Sequence, residues 1–192
     1  MYLARRTTLG VLLAAGAGSR FTGSHHKLLA PLKGAPVVSY AISAMVSAGF
    51  EECIVITGSE PLTGLLDDVT EVHNADWASG QRSSVLTAID YAQTHGFESV
   101  VVGLGDQPFI ETDAWKAVAD TDAPIAIATY EGTRGNPVKL SATVWDLFRS
   151  TQGDTDAGAR ALIHLHPELV REVACKGNSA DIDTTEDLSK WI

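Results

Sequence analysis

Short runs of β-branched and aliphatic residues alternate with longer amphipathic segments along all 192 residues, and this alternation constrains the fold more than any other feature. A run such as Val100-Val101-Val102 is apolar at every position, which suits a strand covered on both faces. Strands are expected near 8–15, 52–58, 69–73, 98–104, 124–129 and 169–174. Helices are expected near 36–48, 81–94, 112–120, 141–150, 157–165 and 184–192. Stacked βα units of this kind give an α/β fold of three layers, with helices on both faces of a mostly parallel sheet. Pro36 suits the first turn of one helix and Gly49 its end, while Thr112 is placed to cap another. Gly132 to Pro137 reads as a turn-rich excursion from the sheet. No repeat, low-complexity tract or linker interrupts the pattern. Residues 1–192 are therefore expected to form one domain, long enough to bury roughly 70% of the unfolded surface.

The first strand runs straight into Leu12-Leu13-Ala14-Ala15-Gly16-Ala17-Gly18-Ser19-Arg20, with Lys27 a short way beyond. Small residues there leave backbone N–H groups uncovered, so phosphate oxygens can approach closely, and two cations stand beside them. Two familiar glycine patterns fail on this segment. GxGxxG fits Gly16 and Gly18 but meets Phe21 at its third glycine. GxxxxGK[ST] fits Gly18 and Gly23 but finds Ser24 and His25 where Lys and Ser or Thr belong. A tight strand-to-helix turn without a ligand is the plainer alternative.

Open parallel sheets bind ligands beyond the carboxyl ends of their strands, where the glycine loop and the end of the 98–104 strand both lie. That second strand ends in Gly105-Asp106-Gln107-Pro108, and Pro108 stops it from continuing. Asp106 is suited to a hard cation such as Mg2+, which needs only one or two carboxylates when phosphates and water complete its octahedron. Turn capping is the alternative role for Asp106. Asp181 and Asp183 share one side of an extended segment; Asp183 is taken as the second metal ligand, with Asp181 the alternative. Thr184 followed by Asp187 matches a helix N-cap, so Asp187 is assigned to capping. Trp77 to Ser84 opens the 81–94 helix with small side chains and hydroxyls, and Gly80 and Ser84 are expected to seat a base.

Composition limits the rest. The formal charge of −10 argues against nucleic acid and anionic membranes as partners. Screening acts over about 8 Å at physiological salt, so Arg20, Lys27 and a bound cation outweigh distant carboxylates locally. Cys53 and Cys175 lack zinc or redox spacing, and His25, His26, His73, His95, His164 and His166 form no HExxH pattern. His25 and His26 stand nearest the expected phosphates. Met1 to Arg6 is too short and polar for a secretory signal, and no apolar run spans a bilayer, so a cytoplasmic protein is expected.

In order along nearly the whole chain, these motifs resemble those of the molybdopterin nucleotidyltransferases within the NTP-transferase family, and among them the molybdenum cofactor cytidylyltransferases. The resemblance rests on Leu13 to Arg20 with Lys27, Asn74 to Ser84, Gly103 to Pro108, Arg134 to Val138, Asp156 to Arg160 and Asp181 to Thr184. It implies a Rossmann-like nucleotidyltransferase that moves a nucleoside monophosphate from an NTP to a phosphorylated pterin, releasing pyrophosphate with magnesium. The Leu-Ala-Ala-Gly start is similar to that of cytidylyltransferases, pointing to CTP rather than GTP. Leu13, Ala14, Ala15, Gly16, Gly18, Arg20, Lys27, Gly80, Ser84 and Asp106 are the implied nucleotide contacts, Asp106 and Asp183 the metal ligands, and Arg20, Lys27, Asp106 and Asp183 the catalytic set. Molybdopterin is the implied acceptor, with a molybdenum hydroxylase or its chaperone as a downstream partner. Three departures stand out: Arg20 and Lys27 are two residues further apart than in the commonest signature, Asn136 replaces a frequent His, and Thr155 a usual Gly.

A phosphate monoester has its second pKa at about 6, so such an acceptor is already a nucleophilic dianion at pH 7 and needs no general base. Rival readings keep the chemistry but change the acceptor to a phosphosugar, phosphoalditol or 2-phospholactate, or change the donor to GTP. A non-catalytic nucleotide- and pterin-binding chaperone is a reading of another class, and a nicotinamide dehydrogenase is disfavoured by Phe21.

Overall fold

The computed structural model describes residues 8–151 and 158–192. In chain order its elements are β1 (Thr8–Ala14), β2 (Pro31–Leu32), β3 (Ala35–Pro36), α1 (Val37–Val46), β4 (Glu52–Thr57), β5 (Thr70–His73), α2 (Gln81–Thr94) and β6 (Ser99–Leu104). Then come α3 (Thr112–Asp120), β7 (Ile125–Tyr130), β8 (Thr133–Ser141), α4 (Trp145–Ser150), α5 (Arg160–Leu165), β9 (Val170–Ala174) and α6 (Thr185–Ser189). Seven strands form one sheet in the order β5-β4-β1-β6-β8-β7-β9, and β2 and β3 make a small separate hairpin. Among the described residues no helix is long and apolar enough to cross a membrane.

The three layers arise from strand periodicity, because successive side chains point to opposite faces. Leu9, Val11 and Leu13 of β1, Ile54 and Ile56 of β4, and Val100 and Val102 of β6 pack with Val85, Ile89, Phe148 and Ile163 from α2, α4 and α5. Their neighbours Leu12, Val55 and Val101 pack on the other face with Val38, Met45, Trp115 and Val118 from α1 and α3. Burial on both faces is why these strands read as continuous apolar runs. Each fully buried aliphatic side chain contributes about 1.5–3 kcal/mol. Gly103 lets α3 approach closely: a methyl group there would stand 2.5 Å from the Trp115 ring.

β1 pairs in parallel with β4 on one side and β6 on the other. The chain therefore leaves β1 in one direction and returns to its opposite flank, which makes the carboxyl ends of β1 and β6 a topological switch point.

Three expectations are corrected. The segment read as an excursion at Gly132 to Pro137 opens β8, which runs antiparallel between β6 and β7. Its register shifts where Ile127 pairs with Val138 but Ala128 with Gly135, so Asn136 and Pro137 fall in a bulge where a missing N–H costs no ladder bond. β8 continues to Ser141, so the helix expected at 141–150 is a 3-10 turn over Ala142–Val144 followed by α4. Thr112 does not cap α3; Glu111 holds that position, with no side-chain cap bond.

Candidate active site

β1 delivers the glycine loop to the switch point, and four carbonyls of the strand end and loop are tied to protein donors. Leu13 C=O accepts from Gly105 N–H at 2.9 Å, Ala15 C=O from Ser59 N–H at 3.0 Å, and Gly18 C=O from Phe21 N–H at 2.9 Å. The Gly16 carbonyl takes the His26 ring at 3.0 Å. Among the described residues the amides of Gly16 to Arg20 donate to no protein acceptor. Unpaired amides beside paired carbonyls make a concave donor surface for an anion. The loop leads into a 3-10 turn over Lys27–Leu29 rather than a long helix, so the dinucleotide-binding arrangement does not arise.

The floor is ionic. Lys27 Nζ lies 2.5 Å from Asp106 Oδ2 and 2.8 Å from Asp183 Oδ1. Arg20 reaches Asp183 Oδ2 at 2.9 Å from a largely exposed side chain. Burial pulls the Lys27 ammonium toward neutrality, but the charges of Asp106 and Asp183 outweigh this and raise its pKa.

Asp183 is held by its neighbours. Ile182 is fully buried, packing with Ala30, Leu32 and Val37. The Ile182 N–H donates to the Asp106 carbonyl at 2.9 Å. Immediately afterwards Thr184 and Asp187 close the expected capping box on α6. The Lys190 and Thr184 side chains hold the Asp187 carboxyl down at about 2. Asp181 lines the same cleft but bonds Gln107 Nε2 at 2.6 Å. Burial raises its pKa, and the Asp106 charge adds to the effect.

A cation fits between Asp106 and Asp183. One ammonium already touches an oxygen of each, so the two carboxylates converge on one point. Asp106 Oδ1 is buried with no hydrogen-bond partner, leaving a hard anionic donor unspent. Groups of three or more His, Cys, Asp or Glu suited to a metal do not occur among the described residues. Two carboxylates are enough for an ion whose remaining ligands come from phosphate and water.

The cleft has a volume of about 530 Å³. Every residue expected at the nucleotide lines it except Gly18, which has φ 61° and sits against His26 and Lys27. Gly80 caps α2 and Ser84 is buried. The Ser84 hydroxyl accepts from Asn74 Nδ2 at 3.0 Å, a bond that leaves its own O–H able to donate into the cleft it lines. Asn74, itself buried, also donates to Ser83 Oγ at 2.8 Å and accepts from Asp76 N–H at 3.0 Å, setting the Trp77 turn. Gln107 plays a similar part: it bonds Asp181 and Ser179 on one side and accepts from Asn136 on the other. Neither role is legible in the sequence, because Asn74 braces residues of the following helix and Gln107 reaches partners 29 to 74 positions away.

A second cavity of about 280 Å³ adjoins the first, sharing Gln81, Leu104 and Arg160 with it. Val85, Val102, Ile127 and Leu140 form its apolar floor, and Arg134, Asn136, Arg160 and His164 its polar edge. Arg160 makes no hydrogen bond or ion pair with a described residue, whereas Arg134 pairs with Glu172 at 2.7 Å. Thr155, Asp156 and Ala157, named in the sequence resemblance, the start of the helix expected at 157–165, and Met1 to Arg6 lie outside the described residues.

A doubly covered sheet, an amide-lined loop at its switch point and a carboxylate pair beneath define a nucleotide-handling α/β protein. The chain belongs to the MobA-like NTP transferase domain family, whose model matches residues 10–172, and is a nucleotidyltransferase. It is 32% identical over 198 residues to nicotine blue oxidoreductase of Paenarthrobacter nicotinovorans, covering 95% of each protein. Among solved structures it is similar to a nucleotidyl transferase from Methanothermobacter thermautotroptrophicus, with TM-score 0.80, 25% identity and coverage of 96% of this chain and 95% of that one. It is also similar to Rv0371c from Mycobacterium tuberculosis H37Rv in complex with manganese, with TM-score 0.75, 26% identity and coverage of 96% and 97%.

Proposed function

We propose that this protein transfers CMP from CTP to a phosphorylated pterin, molybdopterin, with Mg2+ and release of pyrophosphate, in the cytoplasm. The observation that carries the reading is the Lys27 ammonium bridging Asp106 and Asp183 in the same cleft that Gly16, Ala17 and Arg20, whose amides have no described protein acceptor, also line. A triphosphate seated on those amides draws Lys27 and Arg20 onto its β- and γ-phosphates, where they offset charge on the leaving pyrophosphate. Asp106 and Asp183 are then the holders of magnesium, which when bound supplies positive charge at the phosphate oxygens. Gly80 and the turn braced by Asn74 and Ser84 border the base.

The second cavity supports a flat heterocyclic acceptor, since its apolar floor meets the nucleotide cleft at Arg160, a cation with no described partner. An acceptor phosphate entering there approaches the α-phosphate as a dianion, which explains why the cleft needs no general base. The Leu13-Ala14-Ala15-Gly16 start supports cytosine as the base. A molybdenum hydroxylase or its chaperone is the proposed recipient of the product.

A pyrophosphate-release screen of CTP, GTP, UTP and ATP with molybdopterin tests this. Release with CTP and molybdopterin is expected. Release only with a phosphosugar, phosphoalditol or 2-phospholactate, or only with GTP, reassigns the substrate, and stoichiometric CTP binding with no pyrophosphate overturns the catalytic reading.

A further inference from the structure

Between Arg20 and Lys27 the chain makes an exposed loop through Thr22, Gly23, Ser24 and His25, and such a loop does not by itself fix the two ends relative to each other. His26 does. Its Nδ1 accepts from Leu28 N–H at 3.3 Å, making it the N-cap of the turn that carries Lys27. Its Nε2 meets the Gly16 carbonyl at 3.0 Å. The first bond uses Nδ1 as an acceptor, so the proton sits on Nε2 and is donated to Gly16; the two bonds together assign the neutral tautomer. The ring edge also packs against Gly18, where an added Cβ would lie 3.0 Å from Nε2. One imidazole therefore ties the amide-bearing loop to the turn that aims the ammonium.

We propose that His26 is a positioning residue that fixes the distance between the Gly16 and Ala17 amides and Lys27 Nζ, and so sets the grip on the triphosphate. It acts through the loop rather than on the ligand: His26 does not line the cleft, whereas Gly16, whose carbonyl it holds, does. This inference rests on reading the cleft as a triphosphate site.

The two bonds separate by substitution. Asn at this position keeps an acceptor for Leu28 N–H but is too short to reach Gly16, whereas Gln places an amide donor about as far from Cα as Nε2 and restores the tie to Gly16. The probes are Mg·CTP and inorganic tripolyphosphate, which has no base, each titrated by calorimetry into the full chain. His26→Asn and His26→Ala are expected to weaken both probes about tenfold, the loss of one well-placed hydrogen bond, while His26→Gln stays within about threefold of wild type. In turnover, KM for CTP is expected to rise more than kcat falls. Asn binding as tightly as wild type, or Gln as weakly as Ala, overturns the proposal while leaving the triphosphate site in place. A wild-type protein that binds neither probe overturns the site and the strut together.

Discussion

Asp106 satisfies two requirements that conflict unless a cation is near. Its backbone carbonyl anchors the Ile182 segment, while its carboxylate is turned inward with Oδ1 buried and unpaired. Burying an unpaired charged oxygen is costly, and Lys27 offsets only one side of it. Asp106→Asn keeps shape and backbone but removes the charge that holds Lys27 and that the proposed function assigns to a metal. It is expected to lower kcat by about 10²–10³-fold, comparable to losing one preorganised electrostatic contact in an active site. Manganese binding followed by electron paramagnetic resonance in the presence of CTP should weaken in parallel. Unchanged turnover would remove Asp106 from the catalytic set. The sequence singles out Asp106, Asp183, Arg20 and Lys27 because charge at a strand end or beside a glycine turn is a local signal, and the four line one cleft. The bracing roles of Asn74, Gln107 and His26 are not local signals, since each includes a partner 9 to 74 positions away that only the fold brings close.

At the scale of elements, the central strands β1, β4 and β6 were readable for the reason that makes them stable: both faces are buried, so their inner positions run apolar without a break. The antiparallel β8 was not, because Gly135, Asn136 and Pro137 look like a turn when considered alone and become strand residues only where β7 pairs around the bulge. Length misled at α4, where the strand took Ser141 and a 3-10 turn took Ala142–Val144 from the helix that local propensity gave them to. Gly103 shows how closely element packing is tuned. In β6 it faces Trp115 of α3, which is only 1% exposed, and an added methyl group would stand 2.5 Å from the indole. Neither the central strand nor a fully buried ring yields easily, so Gly103→Ala is expected to cost about 1–3 kcal/mol, the range for overpacking a core. A urea titration with an unchanged slope but a lower midpoint would confirm the cost, whereas an unshifted midpoint would mean that α3 slides at no cost.

For the whole molecule, stability and ligand occupancy are linked through the same ionic floor. In the free protein the Lys27 ammonium already sits between Asp106 and Asp183, so a divalent ion arriving alone must displace a charge that those carboxylates hold at 2.5 and 2.8 Å. A triphosphate changes that balance by offering Lys27 new anionic oxygens and adding phosphate ligands for the ion. Metal and nucleotide should therefore stabilise the fold together far more than separately. At a hundred times its dissociation constant, Mg·CTP is expected to add about 2.7 kcal/mol. For a chain of this length that raises the unfolding midpoint by roughly 5–10 °C. Magnesium alone should move it by no more than about 1 °C, since a site already filled by an ammonium offers little net binding energy. CTP with a chelator should fall between the two. If magnesium alone gave the full shift, the carboxylates would be free to bind it unaided, and Lys27 would not be the group that makes metal binding depend on the nucleotide.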